Sequence, residues 1–414
     1  MAARFASHSG AGQGRDERTM QHPHRLPTSA NKLLIVARTA RPLAQAARAA
    51  GYEPWVIDLF GDEDTRAVAR HMIALAPNPL FDFNPGELLG AIAAVQALAG
   101  PMAIVCGSAF ERSCAVLAKM ARHYRVLGCS AETYRQLHDL PALFEELRAE
   151  YGITVPATTW CSPRDPQGWL RKSVGGSGGY HVQPAAAHPR PNKRHYFQRQ
   201  VAGDSRSALL IANGQDCQLV GCAAHLRWHG AASYRYEGAR TCAPPLAALR
   251  ARLCDIGTIL TRRLALRGCF GFDFLWQGED RVALVDINPR PPATLDLWPE
   301  RARLFAAHVA ACSAGTLLYS RPRTTIRYAH LILYADAPCM VAADIRWPPW
   351  VFDRPCSGTV IVRAAPVCTL TAHGHTTSDL DVKLTRRYGH LRQLLSPSMQ
   401  RALPATLNIR TMGS

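Results

Sequence analysis

One stretch, residues 271–291, constrains the fold of this chain more than any other. It places Asp273, then Asp286, and then Asn288 and Arg290 at alternate positions. Two strands joined by a hairpin at residues 278–280 would bring these side chains together, because residues two apart on a strand share a face. Carboxylate and amide oxygens suit Mg²⁺, which completes its shell with water and substrate phosphates. The spacing therefore predicts a metal site beside a phosphate site; a surface hairpin with solvated acids is the alternative.

A glycine-rich segment upstream adds a second signal. Lys172 precedes the run Gly175-Gly176-Ser177-Gly178-Gly179. Glycine tolerates positive φ and lets backbone N–H groups approach an anion, while a lysine supplies a point charge for a phosphate. The run lacks the Gly-Lys-Ser/Thr ending of a Walker A loop and the Gly-x-Gly-x-x-Gly fingerprint of dinucleotide sites. A glycine-rich hairpin tip or linker remains the alternative for this segment taken alone.

Together the two segments resemble the ATP-grasp superfamily over roughly residues 31–375. The resemblance implies an α/β and α+β architecture, in which an ATP-grasp fold follows an N-terminal Rossmann-like preATP-grasp domain. It also implies ATP and Mg²⁺ (or Mn²⁺) as cofactors. Residues 366–374 more weakly resemble the carboligase-like branch related to biotin carboxylase, which includes ATP-grasp proteins linked to tetrahydromethanopterin in methylotrophs.

The resemblance assigns roles position by position. Lys172 would contact the α- and β-phosphates, and Gln198 and Gln200, on the strand between the lobes, would border the nucleotide. Arg290 would be the catalytic residue that stabilises the transferred phosphoryl group. The remaining implied roles are phosphate cover by Gly175, Gly176, Ser177, Gly178 and Gly179, and metal binding by Asp273, Asp286 and Asn288.

Two positions depart from the superfamily pattern. The second metal ligand is usually glutamate, and here it is Asp286, which is one methylene shorter. Arg199 stands where the superfamily usually carries an acid that bonds the ribose or adenine. These departures motivate an alternative function, a protein that binds ATP without turning it over.

The pattern along the chain predicts four parts. Residues 1–30 are polar and show no periodic pattern, so we expect a disordered tail. We expect residues 31–125 to form the preATP-grasp domain, residues 126–320 the small and large lobes, and residues 321–414 a β-containing closing segment. In the first domain, alternating strands and helices predict a parallel sheet, with a helix expected around residues 65–76.

Several polar side chains are candidates for the acceptor site. Arg41 and Glu111 follow strand ends, where such sheets bind ligands, and each is either a substrate contact or an ordinary surface residue. Arg235 is a candidate clamp for a substrate carboxylate. His225 and His229 have the spacing of a metal pair, but no acid is placed as third ligand.

Composition limits the classes of partner and compartment. The net charge is +17, but the arginines are spread along the chain, so we expect no specific nucleic-acid binding; a polyanion-binding protein remains a third alternative. None of the thirteen cysteines forms a Cys-x-x-Cys motif, which fits a reducing cytoplasm. No apolar run reaches membrane-spanning length, so no membrane association is expected.

The function implied by the resemblance is an ADP-forming carboxylate–amine ligase. A small carboxylate would take the γ-phosphate of Mg-ATP to give an acyl phosphate, which an amine would then attack. The tetrahydromethanopterin-linked relatives suggest one-carbon cofactor biosynthesis as a pathway. Carboxyphosphate chemistry on bicarbonate is the rival reaction, and a homodimer is compatible with the resemblance.

Overall fold

The computed structural model describes residues 31–187, 194–228, 234–320 and 324–400, the last four without their side chains. The predicted tail, residues 1–30, and His229 lie outside the described residues. Within the described ranges, no helix combines the length and the apolar character that crossing a membrane needs.

The N-terminal part is a five-stranded parallel sheet with β1 at its centre, in the order β3-β2-β1-β4-β5. Its apolar central strand is buried on both faces, as parallel strands require. The sheet order reverses between β1 and β4, so the ends of these two strands open a crevice. The elements are β1 Lys32–Val36, α1 Arg41–Ala49, β2 Glu53–Asp58, α2 Glu63–Arg66, β3 His71–Ala74, α3 Pro85–Ala99, β4 Ala103–Cys106, α4 Cys114–His123 and β5 Val126–Leu127.

The predicted helix at residues 65–76 is wrong. The chain forms only the single turn α2 and then enters the edge strand β3, which pairs in parallel with β2. The alanines in this segment favour a helix locally, but the main-chain hydrogen bonds offered by β2 outweigh that preference.

Two helices lead into a small antiparallel sheet of order β6-β9-β7-β8. The glycine-rich run forms the turn between β7 and β8, so this segment is a hairpin tip. The elements are α5 Ala131–Gln136, α6 Leu140–Tyr151, β6 Thr158–Thr159, β7 Trp169–Ser173, β8 Gln183–Pro184 and β9 His195–Arg199.

A large eight-stranded sheet forms the rest of the molecule, in the order β14-β13-β10-β11-β12-β15-β19-β17. Helices α7 and α8 cover it through buried leucines and Phe305, and α9 covers its C-terminal end. The elements are β10 Asp204–Asn213, β11 Cys217–His225, β12 Gly238–Thr241, α7 Ala247–Leu264, β13 Arg267–Trp276, β14 Val282–Asn288, α8 Arg301–Ser313, β15 Arg327–Tyr334, β16 Cys339–Met340, β17 Val351–Phe352, β18 Val360–Ile361, β19 Pro366–Gly374 and α9 Thr377–Gln400.

Candidate functional site

The hairpin of β13 and β14 places two acids side by side. Asp273 lies directly opposite Asp286, and Asn288 lies opposite Gly271. Burial raises the pKa of both carboxyl groups above the ordinary aspartate range, and the charge of Asp273 raises the pKa of Asp286 further. Two acids that repel each other in a partly enclosed site provide the charge that a divalent cation would neutralise.

Lys172 points from β7 toward this pair. Its Nζ donates a hydrogen bond to Oε1 of Gln198 at 2.6 Å, and within the described chain no carboxylate lies within 4.0 Å of its ammonium. Burial lowers the pKa of Lys172, and the negative charges of Asp286 and Asp273 only partly offset this effect. A buried cation whose direct partner is a neutral amide retains charge for an anionic ligand.

The glycine-rich turn is closed onto the rest of the protein. The carbonyl of Gly178 accepts a hydrogen bond from the backbone N–H of Tyr236 at 2.9 Å. Gly179 has a φ of +76°, and a Cβ there would overlap the carbonyl oxygen of Tyr234. Glycine is therefore required at this position for both its backbone conformation and its close approach.

The N-terminal domain also holds this turn. Arg38, which follows β1, donates from Nη1 to Oγ of Ser177 at 2.9 Å and from Nε to the carbonyl of Phe81 at 2.9 Å. The Nη2 group of Arg38 pairs with Asp82. Because Arg38 is anchored by its own domain, its bond to Ser177 fixes the turn relative to the parallel sheet.

Arg290 is positioned by an acid from the N-terminal domain. Its Nε donates to Oε1 of Glu111 at 2.6 Å, and both side chains are about nine-tenths buried. Burial alone would raise the pKa of Glu111, but the charges of Arg290 and Arg38 lower it to about 2. Glu111 is therefore not an ordinary surface residue, because it is the buried ion-pair partner of Arg290.

These groups open onto a shared cavity of about 460 Å³ between the small lobe, the large sheet and the N-terminal crevice. Gly175 and Gly176 do not line it. A Cβ added at Gly175 would overlap the carbonyl of Glu111, and one added at Gly176 would overlap the ring of His181. The other predicted site residues line the cavity: Lys172, Ser177, Gly178, Gly179, Gln198, Gln200, Asp273, Asp286, Asn288 and Arg290.

Arg199 lies at the edge of this cavity. Its guanidinium stacks over the ring of Trp169 at 5.8 Å and donates to the carbonyl of Gln167 at 3.0 Å. The side chain is exposed, and its contacts direct it to the small lobe. Arg199 is therefore held by contacts within the small lobe, to Trp169 and Gln167.

Two other candidate arginines have partners within the protein. Arg41 is buried between Asp296 and Asp353. Arg235 stacks on Tyr334, with its guanidinium carbon 3.7 Å from the ring centroid, and its Nη2 lies 3.8 Å from Glu237. Arg235 still lines the cavity, so it keeps a position from which a substrate can be reached.

His225 lies beside one of the predicted metal residues: its Nε2 is 3.9 Å from Oδ1 of Asp273, and its Nδ1 bonds Oγ of Ser205 at 2.9 Å. Sequence patterns give no signal for three other polar residues that line the cavity. Asp296 and Asp353 belong to no motif, and His330 lies in an apolar strand. They meet only because the long-range sheet pairing assembles them.

In the described part of the chain, no group of three or more histidine, cysteine, aspartate or glutamate side chains could hold a metal ion. The site instead offers Asp273, Asp286 and the amide of Asn288. An incomplete oxygen set fits Mg²⁺, which keeps several waters and binds phosphate oxygens. All thirteen cysteines are free thiols.

Residues 139–294 match the family model of the ATP-grasp domain. The chain carries an ATP-grasp domain. This domain spans Lys172, Asp273, Asp286 and Arg290, and the match confirms the predicted resemblance to the ATP-grasp superfamily over these residues. Among curated proteins, none matches this sequence.

The ATP-grasp fold extends over most of the chain. It is similar to biotin carboxylase from Campylobacter jejuni, with a TM-score of 0.64 and 13% identity over 86% of this chain and 90% of the other. It is also similar to the biotin carboxylase domain of the 2-oxoglutarate carboxylase of Hydrogenobacter thermophilus, with a TM-score of 0.63 and 13% identity over 88% and 89%. N5-carboxyaminoimidazole ribonucleotide synthetase from Thermotoga maritima gives a TM-score of 0.59 and 14% identity over 87% and 98%. The predicted fold is thus confirmed.

Proposed function

We propose that this ATP-grasp protein is an ADP-forming ligase that phosphorylates a small carboxylate and transfers the acyl group to an amine. The observation that carries the proposal is that Lys172, Asp273, Asp286, Asn288 and Arg290 converge on one cavity. Each is of the type that binding or transferring a phosphoryl group requires.

The residues present fit ATP and Mg²⁺. The unneutralised pair Asp273 and Asp286, with Asn288, would hold the metal, which supplies charge neutralisation on the phosphates. Lys172 would bind the phosphates, because its buried ammonium has a neutral amide as its partner. Gln198 and Gln200 border the same cavity, where the nucleotide would lie.

Arg290 would act on the transferring group. In the first step, an oxygen of the substrate carboxylate attacks the γ-phosphorus of ATP, and the bond to the ADP oxygen breaks. In the second, the amine nitrogen bonds the acyl carbon, inorganic phosphate leaves with the former carboxylate oxygen, and the nitrogen loses a proton. The guanidinium, held in place by Glu111, would stabilise charge on the transferred phosphoryl group.

Bicarbonate is a second candidate for the carboxylate. The similarity to biotin carboxylase favours it, and the H. thermophilus relative was solved with MgADP and bicarbonate. Carboxyphosphate would then take the place of the acyl phosphate, with the same groups around the γ-phosphate. One-carbon cofactor biosynthesis remains a pathway prediction, and the free thiols support the prediction of a cytoplasmic location.

The deciding experiment is hydroxamate formation with Mg-ATP, hydroxylamine and a pool of carboxylates. Hydroxamate together with ADP is expected, and dividing the pool identifies the carboxylate. ADP release that depends on bicarbonate without hydroxamate would favour carboxyphosphate chemistry. Mg-ATP binding without ADP release from any carboxylate would favour a non-catalytic binder, and AMP as product would refute the proposed chemistry.

A further inference from the structure

Glu111 contacts several separate parts of the protein, and the ion pair with Arg290 is only one of these contacts. Its Oε1 accepts a hydrogen bond from Nε of Arg290 at 2.6 Å. Its backbone carbonyl lies 2.6 Å from Nε2 of His138, in the 3₁₀ turn Leu137–Asp139. A carbonyl oxygen can only accept, so Nε2 of His138 carries the proton and donates the bond. The residue that holds Arg290 is thus itself held through its main chain.

The glycine-rich turn packs against the same carbonyl. A Cβ placed on Gly175 would lie 2.5 Å from the carbonyl oxygen of Glu111 and 3.0 Å from Cγ of Arg112. Gly175 therefore approaches the main chain of Glu111 with no room for a side chain. Its φ of +63° also favours glycine. Since Gly175 does not line the cavity, this contact affects a ligand only through Glu111 or through the rest of the turn.

The segment that carries Glu111 has a strained backbone. Ala109 has a φ of +112°, a conformation that a residue with a Cβ rarely adopts and that persists only where surrounding contacts enforce it. The N–H of Ala109 donates to Oε2 of Glu111 at 2.9 Å. One carboxylate oxygen is thus bonded to its own segment and the other to Arg290. Any shift of this segment moves the acceptor that fixes the guanidinium.

We infer that Glu111 couples closure of the glycine-rich turn to the placement of Arg290. Gly175 and His138 are then positioning residues, which act on the arginine only through Glu111. In the closed turn they confine the carbonyl of Glu111 from two sides, and its carboxylate fixes the guanidinium. The inference rests on the proposed ligase function, in which Arg290 stabilises the transferred phosphoryl group. The coupling would restrict phosphoryl transfer to the closed cavity.

Gly175→Ala tests the coupling, because its Cβ displaces either the turn or the segment of Glu111. The kcat of ADP formation should fall about tenfold, and the KM for ATP should change less than about threefold. The same change in the Arg290→Ala variant should lower kcat less than about twofold, because residues that act through one another are not additive. Gly152→Ala is the matched control, since Gly152 has the same φ, +63°, and nothing lies within 4 Å of its added Cβ. It should leave kcat and KM unchanged.

His138→Leu removes the donor to the carbonyl of Glu111 and keeps every glycine of the turn, so it decides the matter if Gly175→Ala fails to fold. It should lower kcat in the same way. His138→Gln, whose amide N–H can replace the Nε2 donor, should restore kcat to at least about half of the wild-type value. A histidine that only stabilises the fold would lower the folded fraction and not the kcat of the folded enzyme. Losses that add to that of Arg290→Ala, or a raised KM with unchanged kcat, would overturn the inference.

The Nε–H of Arg290, observed by NMR, separates this inference from the ligase proposal because it requires no turnover. The signal is recorded in the full-length, arginine-labelled protein with Mg-ADP and is assigned by its absence from Arg290→Lys. It should exchange slowly with water in the wild type and in Gly152→Ala, because the group is buried and bonded to Glu111.

In Gly175→Ala and in His138→Leu, this exchange should be at least about tenfold faster. Faster exchange in these variants, without ADP formation from any carboxylate, would refute the ligase and retain the coupling. ADP formation with unchanged exchange in both variants would retain the ligase and refute the coupling.

Discussion

At the scale of single residues, the ion pair with Glu111 fixes the position of Arg290, the residue that we propose stabilises the transferred phosphoryl group. Glu111 comes from the N-terminal domain, and its Oε1 lies 2.6 Å from Nε of Arg290. A donor that the protein itself holds in place needs little reorganisation when charge develops on a substrate, which is the main source of electrostatic catalysis.

Arg290→Ala should lower ADP formation about 100-fold or more and leave the Kd for Mg-ATP within about threefold, since Lys172 and the metal ligands remain. Calorimetry with Mg-ATP and an ADP-coupled assay measure the two effects. The exposed Arg281, whose Nη2 donates to the carbonyl of Gln277, provides the control Arg281→Ala. Because the first change leaves Glu111 unpaired, the double variant with Glu111→Gln is measured as well. Equal loss of binding and turnover would contradict the role given to Arg290.

Glu111 should also make the stability of the folded protein depend on pH. Its pKa falls from an ordinary 4.5 to about 2 in the folded state, so the ionised form stabilises the fold by about 3 kcal/mol. The sign follows from the lowered pKa: the contribution is complete above about pH 4.5 and is lost as the pH falls toward 2. The difference in unfolding free energy between wild type and Glu111→Gln, from urea titrations, should therefore shrink between about pH 5 and about pH 3.5. If the difference in unfolding free energy stays constant over this range, Arg290 does not lower the pKa of Glu111 in the folded protein.

At the scale of elements, sequence periodicity predicted the two strands that carry Asp273, Asp286 and Asn288 but missed the edge strand β3. The register that sets Asp273 opposite Asp286 follows from a two-residue period and a short hairpin, which are local properties. Strand β3 has four residues and no alternating pattern, and its pairing with β2 joins His71 to Trp55 across an intervening helical turn. A local pattern therefore could not distinguish it from a helix.

The closed glycine-rich turn should depend on Gly179. Gly179→Ala places a Cβ on the carbonyl oxygen of Tyr234, so the turn must move away, and the KM for ATP should rise about tenfold if the turn covers the phosphates. Gly100→Ala is the matched control, because Gly100 also has a positive φ, +82°, but nothing lies within 4 Å of its added Cβ. Steady-state kinetics and limited proteolysis of the turn measure the effect. An unchanged KM with an opened turn would exclude a role in nucleotide binding.

At the scale of the whole molecule, the contacts that complete the cavity join residues far apart in sequence. Glu111 and Arg290 are 179 positions apart, and Arg41 is 255 and 312 positions from Asp296 and Asp353. Sequence reasoning could propose Arg41 and Glu111 as site residues but not their partners, because no local pattern encodes which side chains a folded sheet brings together. The residues proposed to bind phosphate and metal were predictable from motifs, whereas the partners of Arg41 and Glu111 emerged only from the tertiary structure.

Arg41 should act as a clamp among three parts of the protein: helix α1, the 3₁₀ turn with Asp296, and the C-terminal segment with Asp353. Arg41→Met leaves the buried Asp296 and the partly exposed Asp353 without their partner, and breaking a buried ion pair costs about 3 to 5 kcal/mol. Arg148→Met removes a pair that is more than half exposed, with Glu145, and should cost less than about 1 kcal/mol. Calorimetric unfolding should show a lower and divided transition for Arg41→Met, because the N-terminal domain loses its charged link to the large sheet. If both variants unfold like the wild type, the ion pairs of Arg41 do not stabilise the contact between the N-terminal domain and the large sheet, and the surrounding fold alone holds Asp296 and Asp353 in place.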